Sequence, residues 1–199
     1  MASKGDVFIN PVTGERAVVR VNPTAANDDL LVADLYIRPG GAVVGEHVHP
    51  EIEERFTVIR GHVGFTINGV KDVAAAGRRL VVPAGTAHDW WNAGTEEALV
   101  RVEIDPGARF QAMIMNLFGL AQDGKTDRRG LPNILQLALI AREFSDVVYF
   151  TKPPRVVQRL LFGGLAALGR ARGYRGSYPH YLNRAPAEIV ELEEYEVAR

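Results

Sequence analysis

Gly41-Ala-Val-Val-Gly-Glu-His47-Val-His49-Pro-Glu-Ile-Glu-Glu54-Arg-Phe-Thr-Val-Ile-Arg-Gly61 decides how the rest of this chain is read. His47 and His49 are two residues apart, and in an extended strand side chains at i and i+2 point to the same face. Both imidazoles therefore reach one point in space. Glu54 follows after four intervening residues, enough for the chain to turn and begin a neighbouring strand. Two imidazoles and a carboxylate converging from two strands make a site for a first-row transition metal. A histidine pair on a strand, taken alone, is more often a surface or core feature, so the flanking sequence must supply the rest.

On either side lie short β-type runs: Ala17 to Val21, Leu30 to Ile37, Ala42 to Val48, Arg55 to Ile59, Val63 to Ile67, Leu80 to Val82, His88 to Trp91 and Ala98 to Ile104. Turn chemistry separates them, at Pro39-Gly40-Gly41, Arg60-Gly61, Asn68-Gly69, Ala76-Gly77, Pro83-Ala84-Gly85 and Asn92-Ala93-Gly94. Short strands with turns between them indicate an all-β sandwich or barrel. Asn68-Gly69 is the strongest hairpin signal. Asn10-Pro-Val-Thr-Gly14 is a further turn between two apolar pieces.

The first stretch fits G-x5-H-x-H-x4-E-x6-G. A second, Gly77 to Asn92, fits G-x5-P-x-G-x2-H-x3-N through Pro83, Gly85, His88 and Asn92. Together they resemble the two motifs of the cupin superfamily, over roughly residues 9 to 105, with every motif position filled. The resemblance implies a small antiparallel β-barrel, of the cupin or jelly-roll kind, enclosing one metal. The ligands would be His47, His49, Glu54 and His88, with one or two positions left for water or substrate. Iron or manganese come first; nickel, copper and zinc suit the same donors. Strand alternation turns His88, Trp90 and Asn92 to the cavity, and likewise Glu54, Phe56 and Val58. Phe65 joins this apolar wall. Trp90 reads equally as core, and Trp91 faces the other way. Gly41, Gly61, Gly77 and Gly85 read as turn residues with backbone requirements.

At Asp105-Pro-Gly107 the texture changes to helical spacing. Met113, Asn116, Leu117 and Leu120 mark one helix; Ile134, Leu137, Ala138, Ala141 and Phe144 a second; Val157, Leu160, Leu161, Leu165 and Leu168 a third, behind Pro153-Pro154. The second is apolar nearly all round, which predicts burial. Residues 1–107 are therefore expected to form the β domain, and 108–199 a helical extension and tail. Glu188 to Glu196 is an acidic run, in either a terminal helix or a mobile tail. Arginines 155, 159, 170, 172 and 175 flank the third helix, as a solvated edge or an interfacial membrane helix.

The 199 residues, 47% hydrophobic and 24% charged, have the composition of an ordinary globular protein. A net charge of -1 gives no reason to expect nucleic acid. The absence of cysteine removes disulfides, thiolate catalysis and cysteine-ligated metals. The first ten residues lack a signal-peptide core. The longest apolar run, Leu160 to Gly169, is too short for the ~20 residues a membrane span needs. A cytoplasmic protein without a transmembrane segment is expected.

A metal with open positions in an apolar pocket does Lewis-acid or redox chemistry. The leading expectation is a metal-dependent oxygenase acting on a small apolar or aromatic substrate, with Glu54 doubling as a base. The alternatives are a non-enzymatic small-molecule-binding or accessory protein, and a metal-dependent isomerase. The apolar second helix and outer strand faces point to a homodimer.

Overall fold

The computed structural model describes residues 2–42 and 45–195. Its elements in chain order are β1 (Asp6–Ile9), β2 (Arg16–Val21), β3 (Leu31–Ile37), β4 (His47–Val48), β5 (Glu53–Arg60), β6 (His62–Ile67), β7 (Val70–Ala75), β8 (Arg79–Val82), β9 (Ala87–Asn92), β10 (Ala98–Asp105), α1 (Ala108–Gln122), α2 (Ile134–Glu143), β11 (Tyr149–Phe150), α3 (Arg155–Ala171), α4 (Pro179–Leu182) and β12 (Glu188–Ile189). Two antiparallel sheets result. One runs β12-β1-β2-β3-β10-β5-β8, the other β11-β4-β9-β6-β7.

Alternation builds the core. On β10, Val100, Val102 and Ile104 are buried, while Arg101 and Glu103 between them are partly exposed. Phe56 and Val58 of β5 join them, and Val63, Phe65 and Trp90 come from the second sheet to the same cluster. The Phe56 ring lies 5.2 Å from Phe65 and 6.0 Å from Trp90, a spacing typical of favourable aromatic pairs. On the opposite face of the first sheet, Asp34 is only 2% exposed yet charged. It accepts from Arg20 Nη1 at 2.6 Å and Arg101 Nε at 2.8 Å, which ties β2, β3 and β10 together.

Asn68 and Gly69 both take positive φ, 48° and 80°, as a two-residue hairpin turn requires. The strand beyond that turn, β7, has no counterpart among the runs expected from sequence. Its Lys71, Asp72 and alanines carry no β signal, and it sits exposed at a sheet edge, where charge is tolerated. Gly61, Gly77 and Gly85 occupy the left-handed region. Gly41 does not: a Cβ there would stand 2.8 Å from the Ile37 side chain, so close approach is what requires glycine. Of the run expected from Ala42 to Val48, only His47 and Val48 form a ladder, Ala42 making an isolated bridge to Trp91. Gly45, at φ 82°, breaks the extension, and Val43 and Val44 lie outside the described residues.

The three long helices fall where the spacing placed them. Asn133 caps α2 by accepting from the backbone N–H groups of Leu135 and Gln136, each at 3.1 Å. Helix α2 buries Ala138, Leu139 and Ile140, and its one buried polar residue, Gln136, bonds the Arg175 carbonyl and the Tyr178 hydroxyl. Its N-terminal Ile134 is exposed. The tail holds both α4 and β12, the latter pairing with β1; Glu196 of the acidic run lies outside the described residues. Strand β11, between α2 and α3, pairs with β4, Tyr149 opposite Val48 and Phe150 opposite His47. Two strands beyond Gly107 thus complete sheets begun before it. Among the described residues, no helix is long and apolar enough to cross a membrane.

Candidate metal centre

His47 lies on β4, Glu54 on β5 and His88 on β9, while His49 follows β4 directly. The β4–β9 ladder sets His47 opposite His88, their ring centroids 4.3 Å apart. The His47 and His49 rings are 4.9 Å apart. One donor atom from each of the four side chains falls within 4.8 Å of the others, and all four residues are buried. This cluster suits a divalent metal.

Each imidazole is oriented by its own second nitrogen. The Nδ1 atoms of His47, His49 and His88 face the carbonyls of Gly45 at 3.0 Å, Val147 at 2.6 Å and Thr86 at 3.0 Å. A carbonyl only accepts, so each Nδ1 carries the proton and each Nε2 presents a lone pair. His49 Nε2, His88 Nε2 and Glu54 Oε2 are buried with no hydrogen-bond partner among the described residues. His88 Nε2 and Glu54 Oε2 are 2.8 Å apart, and His49 Nε2 is 3.7 Å from the same oxygen, but neither contact aligns as a hydrogen bond. Three stranded buried donors aimed at one point are costly unless a cation gathers them.

For His47, His49 and Glu54 the protonation pattern agrees. Burial, together with the charges of His49 and His88, pulls His47 down to about 4. His49 is lowered as well, burial outweighing the attraction of Glu54. Burial alone would raise Glu54, but His88 and the other two imidazoles hold it below the usual carboxylate range. His88 is raised: burial lowers it, and Glu54 overrides burial. Two imidazoles kept neutral and one carboxylate kept ionised are what a metal requires.

His47, His49 and Glu54 open onto a cavity of about 640 Å³ whose wall is largely apolar. Phe56 and Trp90 line it. Val58 and Phe65 are packed in the core between the sheets and do not reach the wall. Asn92 does not reach it either; its amide donates to the Ile37 and Glu96 carbonyls and braces the turn before β10. Trp91 lies across the strand from Gly64, where a Cβ would meet its ring at 2.2 Å.

Two contributions to the site went unread in the sequence. Phe110, Met113 and Leu117 of α1 and Ile140 of α2 face the cavity, so the helices cover it. Glu15 also lines it, near Asn10 and Thr13, and burial raises its pKa against the hydrogen bond from Thr13. The only signal for Glu15 was its place just after the Asn10–Gly14 turn.

Residues 34–111 match the family model described as Cupin domain. No curated protein sequence matches the chain. Among solved structures it is similar to the Cnp3 cupin domain of Schizosaccharomyces pombe, at 12% identity and TM-score 0.41, covering 46% of this chain and 64% of that one. A predicted oxalate decarboxylase from Thermotoga maritima matches at 23% identity and TM-score 0.43, covering 46% and 79%. An RmlC-like cupin from Shewanella frigidimarina matches at 16% identity and TM-score 0.44, covering 54% and 90%. The chain thus spans less than two thirds of the Schizosaccharomyces domain. Residues 34–111 thus match the cupin domain, both motifs are complete with their four donor residues gathered at one point, and a helical C-terminal region extends beyond that stretch.

Proposed function

We propose that this protein is a metal-dependent oxygenase of a small apolar or aromatic substrate, with His47, His49, Glu54 and His88 as ligands of one iron or manganese. The observation that carries this reading is the position of the donor cluster at the wall of a cavity of about 640 Å³ that is otherwise mostly hydrocarbon. A sugar would find few polar partners there, whereas an aromatic ring fits beside Phe56 and Trp90. When bound, the metal supplies Lewis-acid and redox chemistry. The chain's residues orient the ligands, exclude water through the α1 and α2 side chains, and place one carboxylate of raised pKa, Glu15, at the cavity wall. Glu54 is ionised and committed to the cluster, which weakens it as the base. Glu15, raised by burial, is the better proton carrier. Anaerobic reconstitution with Fe(II) should give oxygen uptake with some member of a panel of enols and diketones. No metal-dependent uptake with any of them rejects the oxygenase reading and leaves a binding protein or isomerase.

We further propose that the chain works in the cytoplasm as a homodimer, through the exposed valines Val73 and Val81 of the edge strands β7 and β8. A monomer in sedimentation velocity at micromolar concentration removes the dimer.

A further inference from the structure

Helix α3 turns much of its apolar surface outward. Val156 is 68% exposed and Leu160 74%, with Val157, Leu161 and Leu168 also exposed. Spacings of three, four and seven residues place them on one continuous face. The side toward the protein holds Gln158, Ala166 and Gly169; Ala166 and Gly169 pack on α2, and Gln158 donates to the Phe150 and Pro153 carbonyls. Arg155, Arg159 and Arg170, four and eleven residues apart, run along one edge of the exposed face.

The charge around this face is one-sided. From Val147 to Ala187 the sequence has seven lysines and arginines and no aspartate or glutamate, in a protein of net charge -1. Among the described residues, Lys152, Arg155, Arg159, Arg170, Arg172 and Arg175 make no ion pair, while Arg184 pairs with Asp123. Beside the C-terminal end of α3, Arg142, Arg170 and Arg175 border a polar recess with Tyr174, Ser177 and a single acidic residue, Glu143, which faces Arg109.

An exposed apolar helix face edged with unpaired arginines could meet a second copy of the chain or a lipid surface. A second copy docked by the same face would set arginine rows against each other, with no acidic residue on α3 to relieve them. An anionic bilayer surface offers hydrocarbon for the valines and leucines and phosphates for the arginines. We infer that α3 docks this protein on anionic phospholipid membranes, lying in the interface with Val156, Leu160 and Leu161 among the acyl chains. Arg155, Arg159 and Phe162 also border the cavity. Resting on the apolar-substrate reading above, docking puts the cavity beside the phase into which such molecules partition.

The test is sedimentation of the full chain with vesicles. Binding is expected to vesicles of phosphatidylcholine and phosphatidylglycerol in equal parts, to weaken with added salt, and to be much weaker with phosphatidylcholine alone. Each basic residue at such a surface contributes about fivefold, so Arg159→Glu with Arg170→Glu should weaken binding ~25-fold or more. Leu160→Asp should abolish it, and because Leu160 is exposed, the thermal melt should stay that of the parent chain. No sedimentation with either vesicle overturns the inference. So does equal binding to both, or a solution dimer that Leu160→Asp dissociates. Chelated protein is expected to bind vesicles as well as untreated protein, and oxygen uptake is read without vesicles. Failure of the docking and failure of the oxygenase reading are thus distinguishable.

Discussion

His49 is the residue on which the site depends most. Among the described residues its Nε2 has no hydrogen-bond partner and points to where the other donors converge, and its Nδ1 is held by a carbonyl from a different part of the chain. His49→Ala should lower metal content by an order of magnitude or more, read by elemental analysis of protein purified without chelator, while the melt of the metal-free form changes little. A variant that retains its metal would remove His49 from the ligand set. The same depressed imidazoles make metal-free stability depend on pH. His47 falls from an ordinary 6.5 to about 4 in the fold, so between those values the unfolded chain binds the additional proton. Its contribution is complete above 6.5 and is lost as pH falls through about 4. His49 acts in the same direction. His88, raised by Glu54, acts in the opposite one, adding stability below 6.5 that is lost as pH rises through its folded value. For His47 alone the shift corresponds to roughly 3 kcal/mol. Urea midpoints of the metal-free protein should therefore drop from about pH 7 to about pH 4. A flat profile would mean that His47 titrates normally. Proton competition for the metal at His47 likewise sets in well below the ordinary histidine range.

At the scale of elements, the first sheet is cross-linked by charge as well as by its ladders. Asp34 stands between Arg20 and Arg101 with almost no solvent contact, so removing it leaves Arg101 without an ion pair among the described residues and the deeply buried Arg20 with only the exposed Glu194 as a charged partner. Asp34→Ala should cost about 3–5 kcal/mol in chemical denaturation. A loss below about 1 kcal/mol would show that water reaches the arginines freely. Much of the element pattern was legible. Alternation with glycine–proline punctuation located β2, β3, β5, β6, β8, β9 and β10 to within a residue or two, and helical spacing located α1, α2 and α3. What escaped were elements whose stability comes from partners. Strand β7 follows a good turn but its Lys71, Asp72 and alanines are poor strand formers, and β11 and β12 are two-residue ladders that exist only because β4 and β1 offer free edges. No local signal marks such pieces.

At the scale of the molecule, the site was more legible than its surroundings. The four donors sit in two compact motifs, so spacing sufficed to find them. The cavity is assembled from the N-terminal turn, both sheets and three helices, and contacts between such distant segments leave no trace in periodicity. Val58 and Phe65 illustrate this: inward on their strands, they are absorbed by the opposing sheet before reaching the cavity. Because the donors are preformed and unsatisfied, a metal should bind the native state far better than the unfolded one. Addition of Fe(II), Mn(II) or Zn(II) should raise the melting temperature, with a stabilisation of about 2.7 kcal/mol at a metal concentration of 100 times the dissociation constant. Chelation should reverse it. A melt indifferent to all three metals would argue for a closed, metal-free cluster.

The bond from His49 to the Val147 carbonyl bridges 98 residues of sequence. A nascent chain leaves the ribosome N-terminus first, so all four donors emerge long before the carbonyl that orients one of them. The two-stranded ladder between β4 and β11 is delayed in the same way. If the cluster takes a metal, its capture should be timed by synthesis: a half-made chain would offer loose, mismatched donors, and the finished one would close the coordination sphere late. Arrested chains ending before Val147 should bind metal weakly and release it rapidly, and those extending past Phe150 should hold it. Equal retention by both would show that the donors set their geometry without help from the rest of the chain.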